Sequence, residues 1–175
     1  MDFFIITIIR LVVPLIIFRF PLLGIFLVAY IDGEDWHWLN LSGQEEIEFY
    51  RIWDKLLDVY YLGIAFLTSI SWTDKIARLI SFYSYTLRIL GVLIFIVLRQ
   101  SFLLFLFPNF FEVFFIFYLV YTNISKQKLL FFNTTEVFAV ILALFIPKLI
   151  VEYLFHVKGI SPINELANLG ELLGY

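Results

Sequence analysis

The sequence predicts an all-α protein: a polytopic transmembrane helix bundle with five to six membrane segments. Three observations predict it. Hydrophobic residues make up 62% of the 175 and mean hydropathy is +0.95. Charged residues reach only 15%, against roughly 25% in soluble domains. Apolar tracts of the length that crosses a bilayer, about 20 residues, recur between short polar stretches. A water-soluble fold of this size needs more polar surface than such a composition supplies. The length allows a single domain, residues 1–175.

The first tract, residues 3–31, is interrupted by Arg10, Pro14, Arg19 and Pro21. As one helix it would extend about 43 Å, and two full crossings of about 20 residues each do not fit in it. Three arrangements remain: one tilted, kinked span; a surface helix over 3–13 followed by a span over 14–31; or a shallow hairpin broken at 18–21. Pro21 restricts Phe20 to extended conformations and favours a break there. Asp32-Gly33 is expected to end the tract, and Trp36 and Trp38 follow as interfacial anchors. The start MDFFIITIIR has no basic region ahead of its apolar run, so it reads as retained rather than as a cleaved leader.

Ser42 and Glu45 match a capping box. One helix is expected from Gly43 to Ile70, acidic and amphipathic first, then apolar, with a membrane segment over 53–71. Asp74 belongs to the first turn of the next span, 76–98. Arg99-Gln100 connects it tightly to a span over 101–121 that contains Pro108, Asn109 and Glu112. The loop TNISKQK leads to a cap at Asn133-Thr134-Thr135-Glu136 and a last span over 136–156. Ser161-Pro162 opens an interfacial helix over 162–173, with serine at the cap and proline at the first helical position.

Charge and composition exclude several classes. The net charge of −3 comes with no basic stripe, so nucleic acid is not an expected partner. Without Cys there is no disulfide frame, thiolate zinc site or cysteine nucleophile. No P-loop, dinucleotide fingerprint or Ser/His/Asp order is present. Absence of Cys and of a targeting segment fits a multi-pass protein of a bacterial or archaeal plasma (cytoplasmic) membrane. Positive charge is nearly balanced between alternate loops, so it does not orient the chain. The expected partners are membrane lipids and a second copy or another membrane protein.

Four ionisable residues lie deep in the predicted spans: Arg88, Glu112, Lys148 and Glu152. A lone charge at the bilayer centre costs roughly 2.5–3.5 kcal/mol on insertion scales. Pairing is therefore expected, Lys148 with Glu152 four residues on and Arg88 with Glu112 between consecutive helices. Asn109 joins this network beside Pro108, which frees a backbone carbonyl that needs a partner. The network serves either to fix helix packing or as a polar route through the bundle.

The densest chemistry lies between Asp32 and Asp58, which holds eight of the fifteen acids. Glu45, Glu46 and Glu48 read as a solvated face. Asp32 and Asp35 are three apart, and Asp54 and Asp58 are four apart, so the latter pair shares a helix face. If residues 36–50 fold back along the membrane, the pairs converge at one face. Four carboxylates suit a hard divalent cation, Mg²⁺ or Mn²⁺, able to hold and polarise a diphosphate. His37 and His156 stand apart and give no histidine metal site.

This pattern resembles the CDP-alcohol phosphatidyltransferase family, whose motif is Asp-x-x-Asp-Gly-x-x-Ala-Arg, eight residues, then Gly-x-x-x-Asp-x-x-x-Asp. Here the four acids recur with one extra residue between the pairs. ITIIRLVVP, with Thr7, Arg10 and Pro14, is similar to the family's first-helix pattern, and Arg88 is similar to an arginine of a later helix. The chain departs from the motif at Trp36 and Tyr50, where the family has glycines, and at Leu39-Asn40, where it has Ala-Arg. The resemblance covers the first third of the chain. It implies a metal-dependent transferase of phospholipid synthesis, with Asp32, Asp35 and Asp54 as metal ligands and Asp58 as catalytic base. The alternatives are a small transporter using the intramembrane charges and a non-catalytic membrane subunit.

Overall fold

The computed structural model describes residues 3–39, 44–125 and 134–157, and every regular element among them is helical. Helix α1 (Phe3–Val12) runs into a 3-10 helix, Val13–Phe18. The chain reverses at Arg19-Phe20, and α2 (Pro21–Leu39) packs back along it. Pro21 opens α2, where its missing N–H costs nothing. Gly24 sets the closeness of the two arms: a Cβ there would lie 2.6 Å from the Ile17 backbone nitrogen.

Of the three arrangements open for residues 3–31, this is the hairpin. The first arm is about 27 Å long, because 3-10 residues rise about 2.0 Å each and α residues about 1.5 Å. The second arm does not stop at Asp32-Gly33 as expected, but continues to Leu39. The physical reason is that Asp32 and Asp35 meet Arg10 across the hairpin, so the helix need not end where charge begins.

Helix α3 (Gln44–Ser69) is continuous; Ser42 of the expected capping box lies outside the described residues. Hydroxyls of Ser69 and Ser71 donate to the Phe66 and Thr68 carbonyls at the end of α3, both at 2.7 Å. The turn then reaches Asp74, whose carboxylate accepts from the N–H groups of Ile76 and Ala77 at 2.9 and 3.1 Å. That cap starts α4 (Lys75–Leu98), and Arg99 ends it in the left-handed region at φ 57°.

The span expected over 101–121 is broken. A short helix α5 (Phe102–Leu106) is followed by Phe107-Pro108-Asn109 and then α6 (Phe110–Ser125). Pro108 has no N–H to give and its ring obstructs the preceding turn, so the helix restarts beyond it. Helix α7 (Thr134–His156) keeps Pro147 inside. Residues 162–173 of the expected interfacial helix, with Lys126 and Lys128, lie outside the described residues.

The core is aromatic and central. Ile17, Ile25, Leu62, Ala65, Phe111 and Phe115 have no exposed surface. Trp72 stacks on Phe115 and Tyr118 with ring centroids 5.5 and 3.9 Å apart. Outside this core, α4 and the Thr135–Leu154 stretch of α7 are long and apolar enough to cross a membrane. Only 6% of the most apolar window of Thr135–Leu154 is buried, unlike the core helix of a soluble protein, which would be mostly buried.

Candidate functional site

Four helices build one ionic cluster. α2 brings Asp32 and Asp35, α3 brings Asp54, Lys55 and Asp58, α1 brings Arg10 and α4 brings Arg88. The guanidinium of Arg10 lies between the acid pairs. Its Nη1 donates to Asp35 and, at 2.8 Å, to Asp54. Its Nη2 donates to Asp32 and, at 3.3 Å, to Asp58. The Trp53 ring covers it at 5.1 Å. Lys55 spans the α3 pair, 2.7 Å from Asp54 and 2.9 Å from Asp58. Arg88 reaches Asp58 at 3.3 Å and the Phe107 carbonyl at 3.2 Å. The break between α5 and α6 leaves the Phe107 carbonyl outside both helices, and Arg88 takes it up. Gly91 admits Phe107 to this place, since a Cβ there would lie 2.2 Å from the Phe107 Cβ.

Four carboxylates against Arg10, Lys55 and Arg88 leave the cluster one negative charge in excess. Its floor is dry: Asp35, Asp58, Arg10 and Arg88 are all buried. Its rim is Asp32, with 31% of its side chain exposed. Burial, followed by repulsion from Asp58 and Asp54, raises the Asp32 carboxyl well above the ordinary carboxylate range, against the pull of Arg10. Burial also raises Asp35, partly offset by Arg10 and by the Tyr50 hydroxyl that donates to it. The Tyr50 phenol is itself raised by burial, by Asp54 and by that hydrogen bond. Tyr50 thus stays protonated and acts as a fixed donor.

One oxygen from each of Asp32, Asp54 and Asp58 lies within 4.8 Å of the others. An octahedral Mg²⁺ with ligands at about 2.1 Å holds opposite oxygens roughly 4.2 Å apart, so the group has nearly the right size. The donors are oxygen only, as a hard cation prefers. The expected ligand set is redistributed: Asp35 lies outside this group, held by Arg10 and Tyr50, while Asp58, expected as the base, lies inside it. The Arg10 guanidinium uses the same three carboxylates, so it and a cation compete for them. The adjoining void, between Arg10, Pro14, Ile31 and Tyr61 among others, has a volume of only about 10 Å³.

A second polar group sits beside the first. Lys148 pairs with Glu152 at 3.1 Å, and Glu152 accepts the Asn109 backbone N–H at 3.2 Å. The Asn109 amide donates to Glu112 at 2.7 Å and lies 3.5 Å from the Tyr61 hydroxyl. Arg88 does not belong here. The expected Arg88–Glu112 pair is replaced by Arg88–Asp58, because Arg88 points across to α3 and the broken segment rather than to α6. The side chains of His37 and His156 lie outside the described residues.

Arg10 at the centre, and Tyr50 and Tyr61 as donors, are the members that motif reading undervalues. For Arg10 the signal was a charge in an apolar tract, which must find a partner. No protein-family model, curated protein or solved structure matches this chain.

Proposed function

We propose that this chain is a multi-pass membrane protein with six membrane segments, and that it binds Mg²⁺ or Mn²⁺ to carry out phosphoalcohol transfer of the CDP-alcohol phosphatidyltransferase type. The segments are the two hairpin arms, the second half of α3, α4, α6 and α7. The ionic cluster stands at one membrane face, where the acidic ends of α2 and α3 leave the apolar layer. The observation that carries the reading is the three-carboxylate group of Asp32, Asp54 and Asp58, assembled from two helices and sized for one hard cation.

Asp32, Asp54 and Asp58 would hold the ion, which when bound supplies charge to a diphosphate and polarises it. The chain's own residues prepare that place. Tyr50 and Arg10 fix Asp35, and Lys55 and Arg88 hold Asp58 in one orientation. The resemblance gives Asp58 the role of base. Three cations on its two oxygens make it a poor proton acceptor, so its part here is that of a ligand.

The outward apolar surface supports the membrane setting. Phe4, Val97 and Phe138 are each more than 60% exposed, which lipid chains tolerate and water does not. The test of the activity is transfer of a labelled phosphoalcohol from a CDP-alcohol to a lipid acceptor by the purified chain with Mg²⁺. Transfer that needs Mg²⁺ and is lost in Asp54→Ala is the expected result. No transfer from any CDP-alcohol, with Mg²⁺ bound, would defeat the transferase assignment.

A second reading is favoured by one specific observation: Arg10 fills the centre of the cluster and leaves only the small void beside it. On that reading the cluster is a structural clasp joining α1–α4, and the protein is a non-catalytic membrane subunit. The readings part on the divalent ion, which a clasp does not need.

A further inference from the structure

We propose that the groove between the end of α3 and the start of α4 is a binding site for an anionic phospholipid, with Lys75 and Arg78 holding its phosphate. The groove has a volume of about 520 Å³, within the roughly 300–1,000 Å³ of small-molecule sites. Phe66, Ile70, Leu79 and Phe82 form its apolar wall. Ile70, Leu79 and Phe82 are all about half exposed, so the wall faces outward along the bundle, where an acyl chain would lie.

Its polar end is cationic. Lys75 and Arg78 are three residues apart in the first turn of α4 and so share a face. Neither side chain has a carboxylate partner among the described residues, and the Nε of Arg78 is buried with no acceptor. A buried donor left unmet is destabilising. A phosphate in the groove would meet the positive charge of Lys75 and of the Arg78 guanidinium. The nearest acid in sequence, Asp74, accepts from the N–H groups of Ile76 and Ala77. The positive end of the α4 dipole adds to the two cations.

The depth is that of a headgroup. Lys75 is the first residue of a helix long and apolar enough to cross a membrane. Arg88 lies thirteen residues further along α4, about 20 Å away by helical rise. The groove therefore lies well apart from the aspartate cluster and is independent of the activity proposed there. An apolar wall at bilayer depth under two cations fits a diacyl lipid rather than free phosphate.

The test is native mass spectrometry of the delipidated full chain, titrated with phosphatidylglycerol or phosphatidylcholine, with inorganic phosphate as competitor. The wild type should prefer phosphatidylglycerol. Lys75→Gln with Arg78→Gln should lower that affinity roughly 30-fold, about fivefold for each charge near an anionic headgroup, and Arg19→Gln should leave it unchanged. Circular dichroism establishes that the variants keep their helices. Equal binding of the two lipids by the wild type would overturn the proposal. So would a folded double variant that keeps its affinity, an equal loss in Arg19→Gln, or displacement of the lipid by inorganic phosphate, which would assign the site to the free anion.

Discussion

Replacing Arg10 by Met separates the two readings of the ionic cluster. Methionine keeps an unbranched stem against Trp53 but removes the guanidinium that touches all four aspartates. The excess charge of the cluster rises from one negative to two. Asp35, fully buried, keeps Tyr50 as donor but loses its cation. Removing one partner from a buried ion network costs roughly 3–5 kcal/mol, a large part of the roughly 5–15 kcal/mol that holds a domain folded. A cation that takes the vacated oxygens gives part of this back: at a hundred times its Kd, about 2.7 kcal/mol. The assay is thermal unfolding in detergent with and without Mg²⁺. Arg10→Met should melt well below the wild type without Mg²⁺ and regain about half of the loss with it, and it should bind Mg²⁺ more tightly than the wild type. A variant that is destabilised but indifferent to Mg²⁺ would refute the idea that Arg10 and a cation share one set of ligands.

Two further outcomes follow from the same geometry. Tyr50→Phe removes the hydroxyl donor of Asp35 and should cost roughly 1–3 kcal/mol; in an Asp35→Asn background the same change should cost less, measurable as a double-mutant cycle in the unfolding assay. The raised carboxyls of Asp32 and Asp35 give a pH dependence of definite sign. The native state holds their protons at pH values where the unfolded chain has released them, so metal-free stability falls as pH rises through their native ionisation. Metal binding needs the carboxylates charged, so Mg²⁺ affinity rises over the same interval. The stabilisation by Mg²⁺ should therefore widen with pH, and a constant difference would count against Asp32 as a ligand.

Much of the helix pattern was legible because it rests on local rules. The four-residue spacing put Asp54 and Asp58 on one face, and Asp74 was expected in the first turn of α4, one position inside its actual place as the cap. What escaped depends on azimuth and on distant partners. Arg88 and Glu112 share a depth in the bundle, but depth does not say which way a helix is turned, and Arg88 faces Asp58. Arg10 meets acids 22 to 48 residues away, a relation no local window contains. The hairpin was one of three arrangements open for residues 3–31, with Pro21 favouring the break, but the close approach of Gly24 to Ile17 is marked by nothing in the tract. Pro108 did carry its signal, because an interior proline removes a helix hydrogen bond and kinks or breaks the helix, although α7 runs on through Pro147. The extension of α2 beyond Gly33 follows from Arg10 and was hidden with it.

The central claim is that Asp32, Asp54 and Asp58 hold a divalent ion. Isothermal calorimetry of Mg²⁺ and Mn²⁺ into the full chain in detergent tests it most directly. One ion per chain bound by the wild type, and none by Asp54→Ala under conditions where that variant stays folded, is the predicted result. A wild type that takes up neither ion at millimolar concentration, while Arg10 holds the four aspartates, would contradict the metal site and leave the structural clasp.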